Sequence, residues 1–380
     1  MTGRGKLSSS QVEHIERLAE EIPIFLDVLE DPQQVGRFLP CLQGTTLLGR
    51  RIGLGFSCFG LKIAWTLGLW DSLPEARQQA WLEHIRSFQI DGRYKNNLAS
   101  ENAFVDRPEI DWLVRQMPWR ARLHYLFHKT ANLVYHQLIL HAETKQAIAT
   151  LAQVGVKGRY AYRGFPQSSE DLMTHFEGFD WSQPWGAGAH TATIAVFLAT
   201  DAPRFLPTAT VVSLRATYES FLASVVDQAT GTYFRGLMPA YGQLVNGAMK
   251  VLTGLDWLGL PIHYPEALID TTLSGQPDHE SCHLVDAVYL LYRASLQTRH
   301  RYREVQIWTT EVLNRILAHH YPGQGFSYFL DHSQTHYYTI PIALGMSEAD
   351  IHGTCLLTWA TAMSLTLLDA PDFGWRVIRP

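Results

Sequence analysis

Apolar residues recur at helical spacing along most of the chain, and runs of strict alternation are few. The pattern therefore predicts helices and almost no sheet. Two kinds of helix alternate. One is amphipathic, with its charges on one face: 10–29, 73–88, 213–226, 264–273 and 301–320. The other is nearly free of charge and rich in small residues: 53–69, 131–154, 185–200, 246–260, 281–294 and 351–368. A helix that is apolar all round is buried all round, and an amphipathic one covers it from outside. Six buried helices, each with an outer partner, give an all-α (α/α)6 toroid: an inner ring inside an outer ring, one domain over 1–380. The scheme needs a sixth outer helix, which is placed at 111–130. A generic multi-helix bundle is the competing arrangement. A polar insertion at 89–118 interrupts the pattern with a dense set of charges, among them Asp106, Glu109 and Asp111. Such a loop over a cavity mouth is a place for function, and a solvated connector is its plainer alternative. The loops 157–169 and 327–348 frame the same opening.

Three of the amphipathic helices end alike. Trp81-Leu82 leads to Gln89 and Gly92-Arg93-Tyr94, Phe221-Leu222 to Gln228 and Gly231-Thr232-Tyr233, and Ile316-Leu317 to Gln324-Gly325-Phe326. Glycine suits the left-handed turn after a helix, Gln can bond exposed backbone, and the aromatic ring folds back over the turn. This repeat resembles the QW-type repeat of the terpenoid cyclase and protein prenyltransferase toroid superfamily, with Tyr or Phe where that family prefers Trp. The resemblance covers three of six hairpins and implies the fold. Six-hairpin glycosidases, uronate lyases and sugar epimerases also use such toroids, so function has to come from the site.

Composition narrows the classes. The 380 residues carry a formal charge of −5, and only 18% are charged, against roughly 25% in an average domain. There is no long basic run, which argues against nucleic acid. No stretch of about 18 apolar residues is uninterrupted, so no membrane span is expected. The polar start shows no signal peptide, and four cysteines without CxxC spacing show no disulfide framework. The expectation is a soluble, cytoplasmic protein whose partner is a small molecule. Seventeen His and sixteen Tyr are the compositional excess that chemistry has to explain.

In a toroid the inner helices run in parallel, so their N-termini gather at one end of the axis. The residues opening those helices are the candidates. Cys282 and Asp286 share a face, one turn apart, in a segment that continues apolar through Tyr289. A carboxylate there is paired, neutral or turned to a polar cavity. His283 lies beside them. Asp350 is an N-cap candidate for the last helix, with His352 in its first turn. Trp185 and His190 open the third inner helix. Asn246 and Lys250 share a face of the fourth, Asn246 also being a natural N-cap. Tyr135 belongs to the second and Tyr94 to the insertion. The catalytic candidates are thus Asp286, His283, His352 and His190. The substrate-binding candidates are Trp185, Asn246, Lys250, Tyr94, Tyr135 and Tyr289. No cofactor is called for; Cys282, His352 and Cys355 are the residues zinc would use if one were held.

Two enzyme readings follow. In the first, implied by the cyclase resemblance, an aromatic cavity folds an isoprenoid and Asp286 donates the initiating proton. The absence of DxDD and DDxxD counts against it. In the second, His and Tyr move the proton beside a sugar carboxylate held by Lys250, as in a uronate lyase or epimerase, or the protein is a glycoside hydrolase. A third reading is a non-catalytic binding scaffold.

Overall fold

A computed structural model describes residues 7–91, 102–116 and 134–380, the side chains of 134–137 excepted. Among the described residues the chain is all-α, with one two-residue hairpin, β1 (His336–Tyr337) and β2 (Ile340–Pro341). Six helices form the inner ring: α2 (Leu54–Thr66), α5 (Val134–Gln153), α7 (Pro184–Thr200), α9 (Tyr241–Leu258), α11 (Ser281–Ser295) and α13 (Ile351–Leu367). Each packs on the next, and α13 packs back on α2, so the ring closes. Around it lie α1 (Ser9–Leu29), α3 (Glu75–Ser87), α6 (Ser169–Glu177), α8 (Thr208–Val225), α10 (Pro265–Leu273) and α12 (Tyr302–Leu317). A short helix, α4 (Arg107–Arg115), joins the second hairpin. None of the described helices is long and apolar enough to cross a membrane.

The six predicted inner helices are all present. The sixth outer helix is not where the spacing put it. Ser169–Glu177 fills that position, with Ser168 accepting the Asp171 amide at 3.1 Å as its N-cap. Of 111–130, residues 111–115 belong to α4 and those from 117 lie outside the described residues. Within 169–177 only Leu172 and Phe176 are buried, so the apolar stripe is two residues long and the segment reads as loop.

The inner helices bury polar residues without strain because their hydroxyls bond back into the helix. Thr361 donates to the Leu357 carbonyl at 2.7 Å and Ser364 to Ala360 at 2.8 Å. Close approach does the rest. A Cβ on Gly188 of α7 would lie 2.7 Å from the Gly247 carbonyl oxygen of α9.

The repeated helix ends form the same small hairpin. Single bridges join Gln89 to Phe104, Val226 to Tyr233 and His320 to Phe326. A fourth copy, missed in the sequence, joins Glu30 to Phe38 after α1. In each copy a returning aromatic is buried: Phe38, Tyr233, Phe326 and, in the Gln89 copy, Phe104, while the expected Tyr94 lies outside the described residues. Gly36 and Gly231 supply the left-handed turns, with φ of +88° and +69°. Gln89 ties the loops together, donating to the Asn102 and Tyr160 carbonyls at 2.9 and 2.8 Å.

Residues 376–380 cross the far end of the ring. The Arg376 amide donates to Thr66 O at 2.7 Å, the Arg379 amide to Gln153 Oε1 at 2.9 Å, and the Trp257 indole to Pro380 O at 2.5 Å. These bonds reach the C-terminal ends of α2, α5 and α9.

Because α7 and α9 meet backbone to backbone at Gly188, Gly188→Ala should force them apart. The expected loss is about 1–3 kcal/mol, as for overpacking generally, read from urea unfolding midpoints. A midpoint equal to wild type would contradict the close approach.

Candidate functional site

The parallel inner helices leave one cavity of about 500 Å³ on the axis. Every inner helix contributes, at spacings of three and four residues that keep one face turned inward. From α2 come Phe59 and Lys62, from α5 Lys145 and Gln146, from α7 Trp185 and Thr193, from α9 Met249 and Lys250. From α11 come Cys282 and Asp286, and from α13 His352, Cys355 and Trp359. The loop before α13 adds Tyr328, Gln334, Tyr337 and Tyr338.

Three lysines therefore face one space. Lys250 Nζ lies 3.4 Å from Asp286 Oδ1. Lys62 donates to Gln146 Oε1 at 3.1 Å. Lys145 has no hydrogen-bond or carboxylate partner among the described residues. Burial, then the charges of Lys62 and Lys250, pushes the Lys145 ammonium well below its ordinary pKa. Burial lowers Lys62 as well. The acid that lines the cavity with them is Asp286, raised by burial and pulled back by Lys250. Its second oxygen, Oδ2, has no partner.

His352 is a neutral base here. Burial, helped by Lys250 and Lys62, pushes it down to about 3. Its Nδ1 donates to Gln334 Oε1 at 2.9 Å, which leaves Nε2 free, and its ring stacks on Phe59 at 4.4 Å. Asp350 caps α13, accepting from Gly353 N at 2.7 Å, and its other oxygen accepts from Tyr328 N and Gln334 N at 2.7 and 3.0 Å. One buried carboxylate thus sets both the helix start and the loop that lines the cavity.

A second carboxylate adjoins the cavity wall. Glu143 of α5 accepts from the Tyr337 hydroxyl at 2.5 Å and the Tyr338 hydroxyl at 3.2 Å. Burial raises it to about 7, with Asp106 adding to the rise and the two tyrosines and Lys62 opposing it.

Several predicted residues meet at this cavity: Asp286, His352, Trp185 and Lys250 all line it. Others stand elsewhere. His283 is at the rim, with its ring edge to Trp185 at 5.5 Å and its Nδ1 accepting from the Asn246 amide at 3.1 Å. Asn246 is no N-cap, because α9 begins five residues earlier, at Tyr241. His190 turns away from the axis and stacks on Phe179 at 4.7 Å, where burial lowers it to about 4. Tyr289 lines a second cavity of about 320 Å³ at the opposite end, its hydroxyl on Asp256 Oδ2 at 3.3 Å. Tyr94 and the Tyr135 side chain lie outside the described residues. The loop 157–169 does not reach the axial cavity: Tyr162 packs into the wall against Phe197. Lys62 was missed. It is the single charge in α2 and carries the same signal that drew attention to Lys250.

Cysteine chemistry has little support. Burial raises Cys282 to about 11 and Cys355 to about 12, so both are thiols at neutral pH. The predicted zinc residues Cys282, His352 and Cys355 line the same cavity, but their ligand atoms do not gather within 4.8 Å of one another. Among the described residues the ligand atoms that lie within 4.8 Å of one another belong to Glu280, Cys282 and His283, at the rim.

No family model matches the chain, and no curated protein matches it. The cyclase and prenyltransferase resemblance therefore rests on the hairpin residues alone. Among solved structures the chain is similar to a possible member of the GH105 family from Salmonella enterica subsp. enterica serovar Paratyphi A. Identity is 12%, the TM-score is 0.40, and 94% of each chain is covered. A likeness of that degree transfers no residue role and no activity.

Lys250→Met strands the Asp286 carboxylate in a buried site. Unfolding in urea at pH 8 should show a loss of about 3 kcal/mol. The loss should shrink at low pH, because the raised carboxyl takes up a proton and the stranded charge disappears. A pH-independent loss would mean that the pair is not electrostatic.

Proposed function

We propose that the axial cavity binds an anionic saccharide, a uronate or a short chain containing one, and that the protein is a carbohydrate-active enzyme of the lyase or epimerase type. The observation that carries this reading is Lys145, without a partner among the described residues and set beside Lys62 and Lys250 in one cavity. Lys145, lowered by burial and by the charges beside it, is satisfied by a carboxylate held between it and its neighbours. Trp185 and Trp359 offer flat apolar walls for the sugar ring, and Tyr328, Gln334 and Gln146 offer hydrogen-bond partners.

The isoprenoid reading fares worse. A carbocation held among three lysines is repelled at close range in a weakly screened site. A cavity with one deep acid and otherwise Phe, Trp and Leu would have favoured it. The scaffold reading leaves an unpaired lysine and a half-satisfied buried aspartate unexplained, since either is costly without a ligand.

In this reading the substrate carboxylate sits on the lysines, which also stabilise the enolate formed when the proton beside that carboxylate is removed. Asp286 is the acid that lines the same space and serves the departing or re-protonated position. Neutral His352 presents Nε2 as an acceptor.

Binding a carboxylate should return the lowered lysines to their charged form, so it should take up protons. Calorimetry with galacturonate in two buffers of different ionisation enthalpy measures that uptake. Affinity should fall as pH rises, because the neutral amine holds no carboxylate. Lys145→Met should remove the uptake and weaken binding by about 10-fold or more. Binding with no proton uptake, or none at all, contradicts the reading. On uronate-containing oligosaccharides, Asp286→Asn should lower turnover by about 100-fold or more, followed by the absorbance of the unsaturated product or by epimer analysis.

A further inference from the structure

We propose that Tyr338 and Glu143 form a proton-transfer pair on the cavity wall, with the Tyr338 oxygen as the base that meets the substrate and the Glu143 carboxylate as the acceptor behind it. The inference rests on the uronate reading for its substrate and on geometry for the pair itself.

Both tyrosine hydroxyls point at one oxygen of Glu143, Oε1. A hydroxyl that donates inward leaves its lone pairs outward. Tyr338 is the tyrosine placed to use them: its ring borders the cavity, and it is 40% exposed against 6% for Tyr337. Tyr337 is held edge-on to Phe59 and His352 and serves as the fixed second donor. Glu143 itself is 2% exposed, and its Oε2 has no partner.

The backbone at Tyr338 gives a separate indication. It occupies the two-residue turn between β1 and β2 with φ +52°, a left-handed conformation that a bulky residue rarely adopts. Glycine or asparagine would sit there without strain. The turn carries tyrosine instead, and the strained conformation places its hydroxyl on Glu143. Strained residues of this kind gather at functional sites.

The step balances as follows. The substrate C–H bond beside the carboxylate breaks, its proton goes to the Tyr338 oxygen, and the electron pair remains on the substrate as an enolate. The original Tyr338 proton moves to Glu143 Oε1. Negative charge passes from Glu143 to the substrate, where Lys62, Lys145 and Lys250 lie. Asp286 returns a proton, or the leaving group departs. The groups facing Glu143 are Tyr337 and Tyr338 from the hairpin, Asp106 and Glu109 from the α4 segment, and Lys62 from α2. Burial first, and Asp106 after it, raises Glu143 to about 7, so the base form grows as pH rises through neutrality.

The test has two arms on the full chain. In the first, 3-fluorotyrosine is incorporated, and Tyr338→Phe assigns the Tyr338 fluorine resonance without any ligand. Between about pH 5 and about pH 9 the resonance should move as the carboxylate titrates, and the movement should vanish in Glu143→Gln. A resonance that does not move, or moves equally in that variant, overturns the pair. In the second, galacturonate is held in heavy water and deuterium entry beside its carboxylate is followed by proton NMR. Tyr338→Phe should slow exchange by about 100-fold while galacturonate affinity and the melting temperature stay put. Glu143→Gln should flatten the rise of exchange with pH, and Glu143→Asp should restore part of it. Bound galacturonate with no exchange, or exchange unchanged in Tyr338→Phe, overturns the proposal. If galacturonate does not bind, the uronate reading fails, and the ligand-free fluorine titration still decides the pair.

Discussion

Six helices with almost no charge have to be buried on every side, and a closed ring achieves this for all but the face turned to the axis. What lines that face is then the one freedom left. Large apolar side chains would fill the axis and make a solid core. This chain instead sets Lys62, Lys145, Lys250 and Asp286 there among aromatic walls. Burial inside two layers of helix disfavours the charge on Lys62 and Lys145, the two neighbouring cations lower Lys145 further, and Asp286 pairs with Lys250. The chemistry of the site follows from that imbalance.

The mouth of the cavity depends on buried carboxylates that hold backbone rather than cations. Asp350 gathers the start of α13 and the loop from Tyr328 to Gln334. Glu348 accepts the amides of Leu42, Gln43 and Gly44, and Asp106 those of Gly53 and Leu54 at the start of α2. Backbone amides at helix starts favour a negative partner. These ties make the rim part of the scaffold, so that His352, Gln334 and Tyr337 are fixed side chains and not loop residues awaiting order.

The fold was legible because its signals are repeated. The inner helices announce themselves by lacking charge over many turns, and the hairpins by an aromatic that returns after each outer helix. The 31–38 copy carries the same signal, Phe25-Leu26 leading to Gln34 and Gly36-Arg37-Phe38. The sixth outer helix escaped because Ser169–Glu177 turns only Leu172 and Phe176 inward, a stripe of two residues. At the site, Lys250 and Asp286 were legible by one rule: a charge alone in an apolar helix needs a reason. Lys62 obeys the same rule. His190 shows its weakness, since a histidine on a buried helix is satisfied as well by a ring such as Phe179 as by a cavity.

The sequence by itself determined which segments are helices, which of them are inner, and that charge is scarce enough for each buried lysine or aspartate to matter. These are local properties, written in periodicity and composition. Only the tertiary structure decided which of those charges share a space. Ring closure brings α2 beside α13, residues nearly the whole chain apart, and sets Lys62, Lys145 and Lys250 around one axis. It also carries Tyr337 and Tyr338 from a late loop onto Glu143 of an early helix. Such meetings depend on the rotation of each helix in the ring and on the path of one strained turn, and spacing along the chain does not encode either.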